Sequence, residues 1–115
     1  MKKSFYSTFG TSQDGAELAA TLARLLDVEL VLHESSYLGE YFKYSGLFAD
    51  KLTIENNHDP SGEPRYAQFK EHPTLIFLSN ENGKNAEKLS KHAYLKTQLR
   101  QIPGIVLLDD LVHVE

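Results

Sequence analysis

Hydrophobic residues in the first quarter of the chain follow two different periods. The segment Lys3–Phe9 is rich in aromatic and β-branched residues and stops at Gly10, which is typical of a β-strand. From about Asp14 to Leu26, leucines at positions 18, 22, 25 and 26 recur at the spacing of one helical face. The pattern therefore predicts a strand and then a helix, with Thr11 or Ser12 as its N-cap and Asp14 in its first turn.

Three short strands are predicted in the middle of the chain. The runs Val28–Glu34, Glu40–Tyr44 and Asp50–Glu55 are rich in strand-forming residues and are separated by turn residues such as serine and glycine. Because the runs follow one another closely, they indicate an antiparallel meander. The next segment, Asn56–Pro64, contains two prolines, a glycine and several Asn and Asp residues, and it is predicted to be a loop.

The last part of the chain predicts a buried strand, a second helix and a final strand. Pro73–Leu78 is a continuous apolar run, as expected of a central strand. In the helical stretch from about Lys84 to Ile102, the apolar residues before and after Ala93 lie on nearly opposite faces. This change of face predicts a break or kink near Ala93. The final strand begins at Ile105 and is continued by residues 111–114.

The order of these elements is β-α-β-β-β-β-α-β. Two helices are too few to cover both faces of a parallel sheet, so the pattern predicts an α+β fold. Its architecture is a two-layer sandwich, with two main helices on a mixed, largely antiparallel sheet of about six strands. With 115 residues and 41% hydrophobic residues, the chain is long enough for one core, and residues 1–115 are predicted to form a single domain.

The composition excludes several kinds of functional site, and the distribution of apolar residues gives an expectation of where the protein is located. The chain has no cysteine, which excludes disulfides, thiolate zinc sites and cysteine nucleophiles. No run approaches the roughly 18 apolar residues that a membrane-spanning helix needs. Lys2 and Lys3 are not followed by the apolar core of a signal peptide, so we expect a cytoplasmic protein without a membrane partner.

Charge is distributed unevenly along the chain. The net charge of −4 argues against nucleic acid as a partner, because phosphate binding requires a basic surface. Between residues 27 and 71, nine acidic residues face four basic ones, whereas between residues 73 and 104 five basic residues face two acidic ones. The acidic middle segment indicates a basic partner or, alternatively, an ordinary solvated surface.

No sequence motif of a known catalytic type is present. The glycines form neither GxGxxG nor a P-loop, no HExxH pair occurs, and no serine lies in a GxSxG elbow. A Ser-His-Asp triad, or a carboxylate pair such as Glu34 and Glu55, could assemble in the folded chain without leaving a motif. His58 and Asp59 are the best candidates for a metal ligand or general base. The sequence otherwise predicts no catalytic residue, cofactor or metal.

The segment Glu34–Tyr44 combines tyrosines with carboxylates. Tyrosine offers a large apolar face and a hydrogen-bonding tip, and it is enriched at protein interfaces. Carboxylates in and after this segment are suited to bind Arg and Lys of a basic partner. The residues predicted to bind a partner are Glu34, Tyr37, Glu40, Tyr41, Tyr44, Asp50, Glu55, Asp59 and Glu63.

The same segment resembles a known class of proteins. The run ESSYLGEY at residues 34–41 looks like an ESSYxGxY signature. It precedes the strand residues 52–54, the sequence NNHDP at residues 56–60, and the run from Phe69 through His72-Pro73 to Leu78. Together with the helix that begins near Gly15, these features are similar to small immunity proteins of bacterial polymorphic-toxin and contact-dependent growth inhibition systems. The resemblance spans roughly Gly10 to Leu78.

The resemblance implies a protein that is not an enzyme and that binds and neutralises one cognate toxin domain, often a nuclease. A nuclease toxin tends to be basic because it binds phosphates, so an acidic inhibitor would complement it. Two alternatives remain open on the sequence. One is a small enzyme or ligand-binding domain that uses the His58/Asp59 loop and nearby carboxylates, and the other is a module that self-associates through a sheet edge.

Overall fold

The fold was described from a computed structural model, which covers residues 1–115. Its elements follow the predicted order of six strands and two helices. The strands are β1 (Lys3–Thr11), β2 (Val31–Ser35), β3 (Gly39–Tyr44), β4 (Lys51–Asn56), β5 (Thr74–Asn80) and β6 (Val106–Val114), and the helices are α1 (Gly15–Leu26) and α2 (Asn85–Arg100). A short 3-10 helix, Ala67–Phe69, lies in the loop before β5. Neither α1 nor α2 is long and apolar enough to cross a membrane.

All six strands form one sheet in the order β2-β3-β4-β5-β1-β6. Every neighbouring pair is antiparallel, including the predicted β2-β3-β4 meander. The predicted buried strand, β5, lies inside the sheet, and β2 and β6 are its two edges. Alternation along β1, β4 and β5 directs Phe9, Leu52 and Ile76 to the face on which both helices pack. The predicted two-layer α+β sandwich is therefore confirmed.

Helix α1 begins at Gly15, one residue later than the sequence predicted. Its N-cap is Asp14, not Thr11 or Ser12, and the Asp14 carboxylate accepts hydrogen bonds from the N–H groups of Ala16 (3.1 Å) and Glu17 (3.4 Å). A carboxylate at this position satisfies free N–H groups and complements the helix dipole.

Helix α2 is continuous, so the predicted break near Ala93 is wrong. The face of α2 that packs on the sheet carries Lys88, His92, Leu95 and Leu99, at the spacing of a single helical stripe. Two of these four residues are polar, which concealed the stripe from a hydrophobicity pattern. Leu89, one of the residues that suggested a second apolar face, is 54% exposed.

Lys88 is the least expected member of this buried face. Its side chain is 1% exposed, and its Nζ has no hydrogen-bond partner. A buried polar group without a partner costs about 1–3 kcal/mol. The variant Lys88→Met, which keeps the length of the side chain and removes the ammonium group, is expected to raise the free energy of unfolding by about that amount in chemical denaturation.

The exposed Lys70 provides the control for this prediction. Lys70→Met should change the free energy of unfolding by no more than about 0.5 kcal/mol, as is usual for surface substitutions. A Lys88→Met variant that is less stable than the natural protein would contradict the prediction, because it would mean that the ammonium group stabilises the fold.

Candidate functional site

Glu34 and Glu40 form a pair of free carboxylates on the β2–β3 hairpin. The two residues lie directly opposite each other in the antiparallel register, and both are exposed. Neither takes part in any of the three ion pairs of the protein. Like charges that face each other across two strands are unfavourable. The hairpin therefore presents a concentrated negative charge that a cation from another molecule would stabilise.

Tyr37 lies at the tip of the same hairpin. The Ser35 hydroxyl accepts hydrogen bonds from the N–H groups of Tyr37 (3.2 Å) and Leu38 (2.9 Å), and Gly39 takes the positive φ of 71° that closes the turn. The tyrosine side chain is 63% exposed, so its ring and hydroxyl are available to a partner.

Arg65 packs against the ring of Tyr37. Its guanidinium lies 5.6 Å from the centre of the Tyr37 ring and 5.3 Å from that of Tyr66, within the range of cation–π contacts. Its Nη1 also donates to the backbone carbonyl of Asn56 and forms an ion pair with Glu55, each at 3.0 Å. The loop from residue 57 onward is thereby fastened to both the hairpin and β4.

Asn57 fixes the path of this loop. The side chain is buried, its Nδ2 donates to the carbonyls of Phe69 (2.9 Å) and His72 (3.1 Å), and its Oδ1 accepts from the N–H of Tyr66 (3.0 Å). The Asn57 side-chain amide thus satisfies backbone groups that would otherwise lack hydrogen-bond partners. By fixing the loop, it also positions Arg65 against the Tyr37 ring.

Four of the nine predicted partner-binding residues have their polar groups engaged within the protein. Glu55 is only 12% exposed as the partner of Arg65, and it accepts a hydrogen bond of 2.6 Å from the Thr53 hydroxyl. The Tyr44 ring packs against the core, on the helix side of the sheet, and its hydroxyl accepts from the N–H of Phe48. Asp50 and Asp59 are the other two.

Asp50 holds the start of α2 against the sheet. Its carboxylate binds the N–H groups of Glu81 and Asn82 at 2.7 and 2.8 Å and the Nζ of Lys91 at 2.9 Å. Partial burial disfavours its charge, but the hydrogen bonds from Lys91 and from these two N–H groups outweigh burial and lower its pKa. Asp50 thus stabilises a junction of the fold.

Asp59 closes a turn of its own loop. Its Oδ1 accepts from the hydroxyl and N–H of Ser61 and from the N–H of Glu63, and the Ser61 hydrogen bond is the main cause of its lowered pKa. His58 contacts Asn56 rather than Asp59, with 3.4 Å between its Nδ1 and the Asn56 amide oxygen. No group of three or more metal-ligating side chains occurs here or elsewhere in the protein. The structure thus places no set of metal ligands around His58 and Asp59.

The other five predicted residues keep exposed polar groups, but they lie on two sides of the sheet. Glu34 and Glu40 share the helix side with Phe42, whereas Tyr41 lies on the opposite side, half-exposed and stacked on His33 at 5.4 Å. Glu63 is exposed in the loop. Glu40 also lines a cleft of about 570 Å³ at the N-terminus of α1. Four of the five free residues therefore lie on the β2–β3 hairpin, but they do not share one face of it.

The sequence did not predict a buried polar network beneath β1. The Ser7 hydroxyl lies 2.8 Å from Nε2 of His92, and Nδ1 of His92 lies 3.0 Å from the side-chain amide nitrogen of Asn80. Ser7 also donates to Asp110 at 2.5 Å, and Asp110 pairs with Lys96. Only the alternation of β1, which places Ser7 between Phe5 and Phe9 on the helix side, gave a hint of this cluster.

This network has the residue types of a nucleophile and base but the wrong proton positions. The Asn80 side-chain oxygen accepts from the N–H of Asp50, so its nitrogen donates to Nδ1 of His92. Neutral His92 then carries its proton on Nε2 and donates it to Ser7. A base must accept the serine proton, which His92 in this state cannot do. Since Ser7, Asn80 and His92 are all buried, the network serves to join β1, β5, α2 and β6.

Burial also determines the charge states in this network. Loss of water is the main effect on His92 and lowers its pKa to about 4, and the nearby Asp110 charge opposes that effect only in part. For Asp110, burial favours the neutral form, but hydrogen bonds from Lys96 and Ser7 prevail and lower its pKa. His92 is thus neutral and Asp110 charged near neutral pH.

Comparison of the chain with protein-family models finds no match, and a search of curated proteins finds no similar sequence either.

Proposed function

We propose that this protein is an immunity protein of a bacterial polymorphic-toxin or contact-dependent growth inhibition system. It binds and neutralises a cognate toxin domain of basic nuclease type, and it acts in the cytoplasm without a cofactor or a nucleic-acid partner. The proposal rests on one observation above all, the unpaired Glu34–Glu40 carboxylates of a hairpin whose tip carries the exposed Tyr37. The resemblance of residues 34–41 to an immunity-protein signature points to the same hairpin.

The physical argument is one of charge complementarity. A nuclease needs Lys and Arg to hold phosphates, so its substrate surface is basic. Glu34 and Glu40 repel each other in the free protein. Binding to a basic surface is therefore favourable, because the partner's cations offset this repulsion. Tyr37 adds a large contact area at the tip of the hairpin, and Arg65 restricts its motion beforehand. The other free groups, Tyr41 and Glu63, would extend the contact.

The direct test uses the product of the adjacent upstream gene as the toxin candidate. We expect it to form a complex with this protein in a pull-down assay, and we expect co-expression of this protein to protect cells from it. Absence of both the complex and the protection would refute the proposed function.

The variant Glu34→Gln/Glu40→Gln tests the proposed site. It is expected to weaken toxin binding about tenfold, or about 1.4 kcal/mol, and to reduce the salt dependence of the association rate, measured by surface plasmon resonance. Removal of two facing like charges should not destabilise the fold. The matched control is Glu29→Gln/Glu71→Gln, which removes two other exposed carboxylates and should leave affinity unchanged. Equal losses in both variants would mean that only net charge matters and would count against this site.

A further inference from the structure

Strand β6 is an edge strand whose residues 111–114 lack the usual protection of an edge, although Asp109 and Asp110 precede them. Lysine, proline and β-bulges commonly prevent free edges from pairing with other chains. Residues 109–114 of β6 contain no lysine or proline, and the one irregularity of its register with β1 occurs before them, between Thr8 and Phe9. Leu111, Val112 and Val114 are 55%, 50% and 47% exposed. A strand of nine residues, six of them apolar, is thus open to solvent along one side.

The backbone of β6 directs hydrogen-bonding groups outward at every second residue. Glu115 donates its N–H to the Lys2 carbonyl at 2.9 Å, which marks Glu115 and Lys2 as a hydrogen-bonded pair of the β1–β6 ladder. Hydrogen-bonded and non-hydrogen-bonded pairs alternate in an antiparallel ladder. The N–H and C=O groups of Asp110, Val112 and Val114 therefore point away from β1, toward a missing neighbour.

A second copy of β6 fits this edge in one register better than in the next. In an antiparallel pair related by a two-fold axis at Leu111, the two Leu111 side chains meet in a non-hydrogen-bonded pair, where side chains approach most closely. Asp109 of each copy then lies opposite His113 of the other, which joins a carboxylate to an imidazole N–H. An axis at Val112 would instead place Asp109 against Glu115, two like charges.

We propose that two copies of this protein associate through β6, with Leu111 at the two-fold axis, and join their six-stranded sheets into one. Because β2 is the opposite edge of the sheet, the Glu34–Glu40 hairpins lie at the two far ends of this dimer. Each hairpin stays free to bind a partner. The dimer therefore holds whether or not the proposed toxin binding does.

The mass of the protein in solution tests the dimer. Sedimentation equilibrium over a concentration series should give twice the 13.0 kDa mass of the chain. Leu111→Arg, which places two cations face to face at the axis, should give the monomer mass. Val31→Arg is the matched control, because Val31 is 53% exposed on the opposite edge, and it should remain a dimer. A natural protein that is monomeric up to its solubility limit would overturn the proposal.

Single cysteines test the register, since the chain has none of its own. Leu111→Cys should form a disulfide between two copies under mild oxidation, because facing residues of a non-hydrogen-bonded pair lie within disulfide reach. Val112→Cys, whose neighbour across the axis would be Asp110, should form far less. Preferential crosslinking of Val112→Cys would overturn the proposed register.

A strand of a different protein is the competing occupant of this edge. If the natural protein is monomeric alone, while Leu111→Arg abolishes its binding to the toxin, then β6 serves the toxin and the proposed dimer is refuted. If the natural protein is a dimer and Leu111→Arg still binds the toxin, the two edges have separate roles, as proposed.

Discussion

Replacing Arg65 with methionine is expected to lower the free energy of unfolding by about 3–5 kcal/mol, the typical effect of removing one partner of a buried ion pair. The side chains of Arg65 and Glu55 are only 7% and 12% exposed, and their atoms lie 3.0 Å apart. Without Arg65, the Glu55 carboxylate would remain buried with the Thr53 hydroxyl as its hydrogen-bond donor. Equilibrium denaturation by urea measures the difference.

A double-mutant cycle separates this ion pair from ordinary packing. Glu55→Met should also destabilise the protein, because it leaves the guanidinium without its carboxylate. The double variant Arg65→Met/Glu55→Met removes both charges and should be more stable than the sum of the two single losses predicts. Arg24→Met, an exposed position on α1, should have little effect. A loss of less than about 1 kcal/mol for Arg65→Met would contradict the prediction.

The same substitution connects the stability of the fold with the proposed binding site. Arg65 contacts both Tyr37 and Tyr66, so its loss frees the hairpin tip from the loop beneath it. A partner would then have to order Tyr37 at the moment of binding, which costs affinity. A conservative Arg65→Lys variant keeps the charge but loses the flat guanidinium face, so it should retain stability better than it retains the position of Tyr37.

Most of the fold could be predicted because its signals are local. Alternation and helical spacing depend on residues a few positions apart, and they marked all six strands and both helices. The failure at α2 has a definite cause. Lys88 and His92 occupy buried positions that normally hold apolar residues, so the true stripe looked polar and the helix looked broken. Their burial depends on packing against β5 and against β1, and β1 is distant in sequence: Ser7 and His92, which contact each other, are 85 residues apart.

For the predicted site residues, the sequence could not show which polar groups are engaged within the fold, for a similar reason. Sequence shows that Asp50, Glu55 and Asp59 carry charge, but it does not show whether that charge is already satisfied. The donor to Asp50 is Lys91, which is 41 residues away, and the cation beside Glu55 depends on the path of a loop. Glu34 and Glu40 were different, because they face each other on a short hairpin whose one lysine, Lys43, lies on the opposite side of the sheet. The sequence therefore marked all of these carboxylates alike, and the folded structure separates the free ones from the engaged ones.

The natural protein is expected to lose stability as the pH falls from about 6.5 to about 4, with His92 as the cause. In the unfolded chain His92 takes up a proton near its ordinary pKa of 6.5, whereas burial in the folded protein lowers that pKa to about 4. Between these values the unfolded state binds more protons, so the free energy of unfolding decreases as the pH decreases. The full difference corresponds to roughly 3 kcal/mol.

The carboxylates act in a different pH range, which makes the His92 contribution separable. Asp50 and Asp110 have pKa values below the ordinary 3.8, so their stabilising effect is lost only as the pH falls below that value. His92→Gln, which removes the titrating ring from the Ser7–Asn80 network, should abolish most of the slope between pH 4 and 6.5 in urea denaturation. His113→Gln, at an exposed position, should preserve it. An unchanged slope in His92→Gln would show that another group titrates in this range, and would remove the reason to regard His92 as a buried neutral residue.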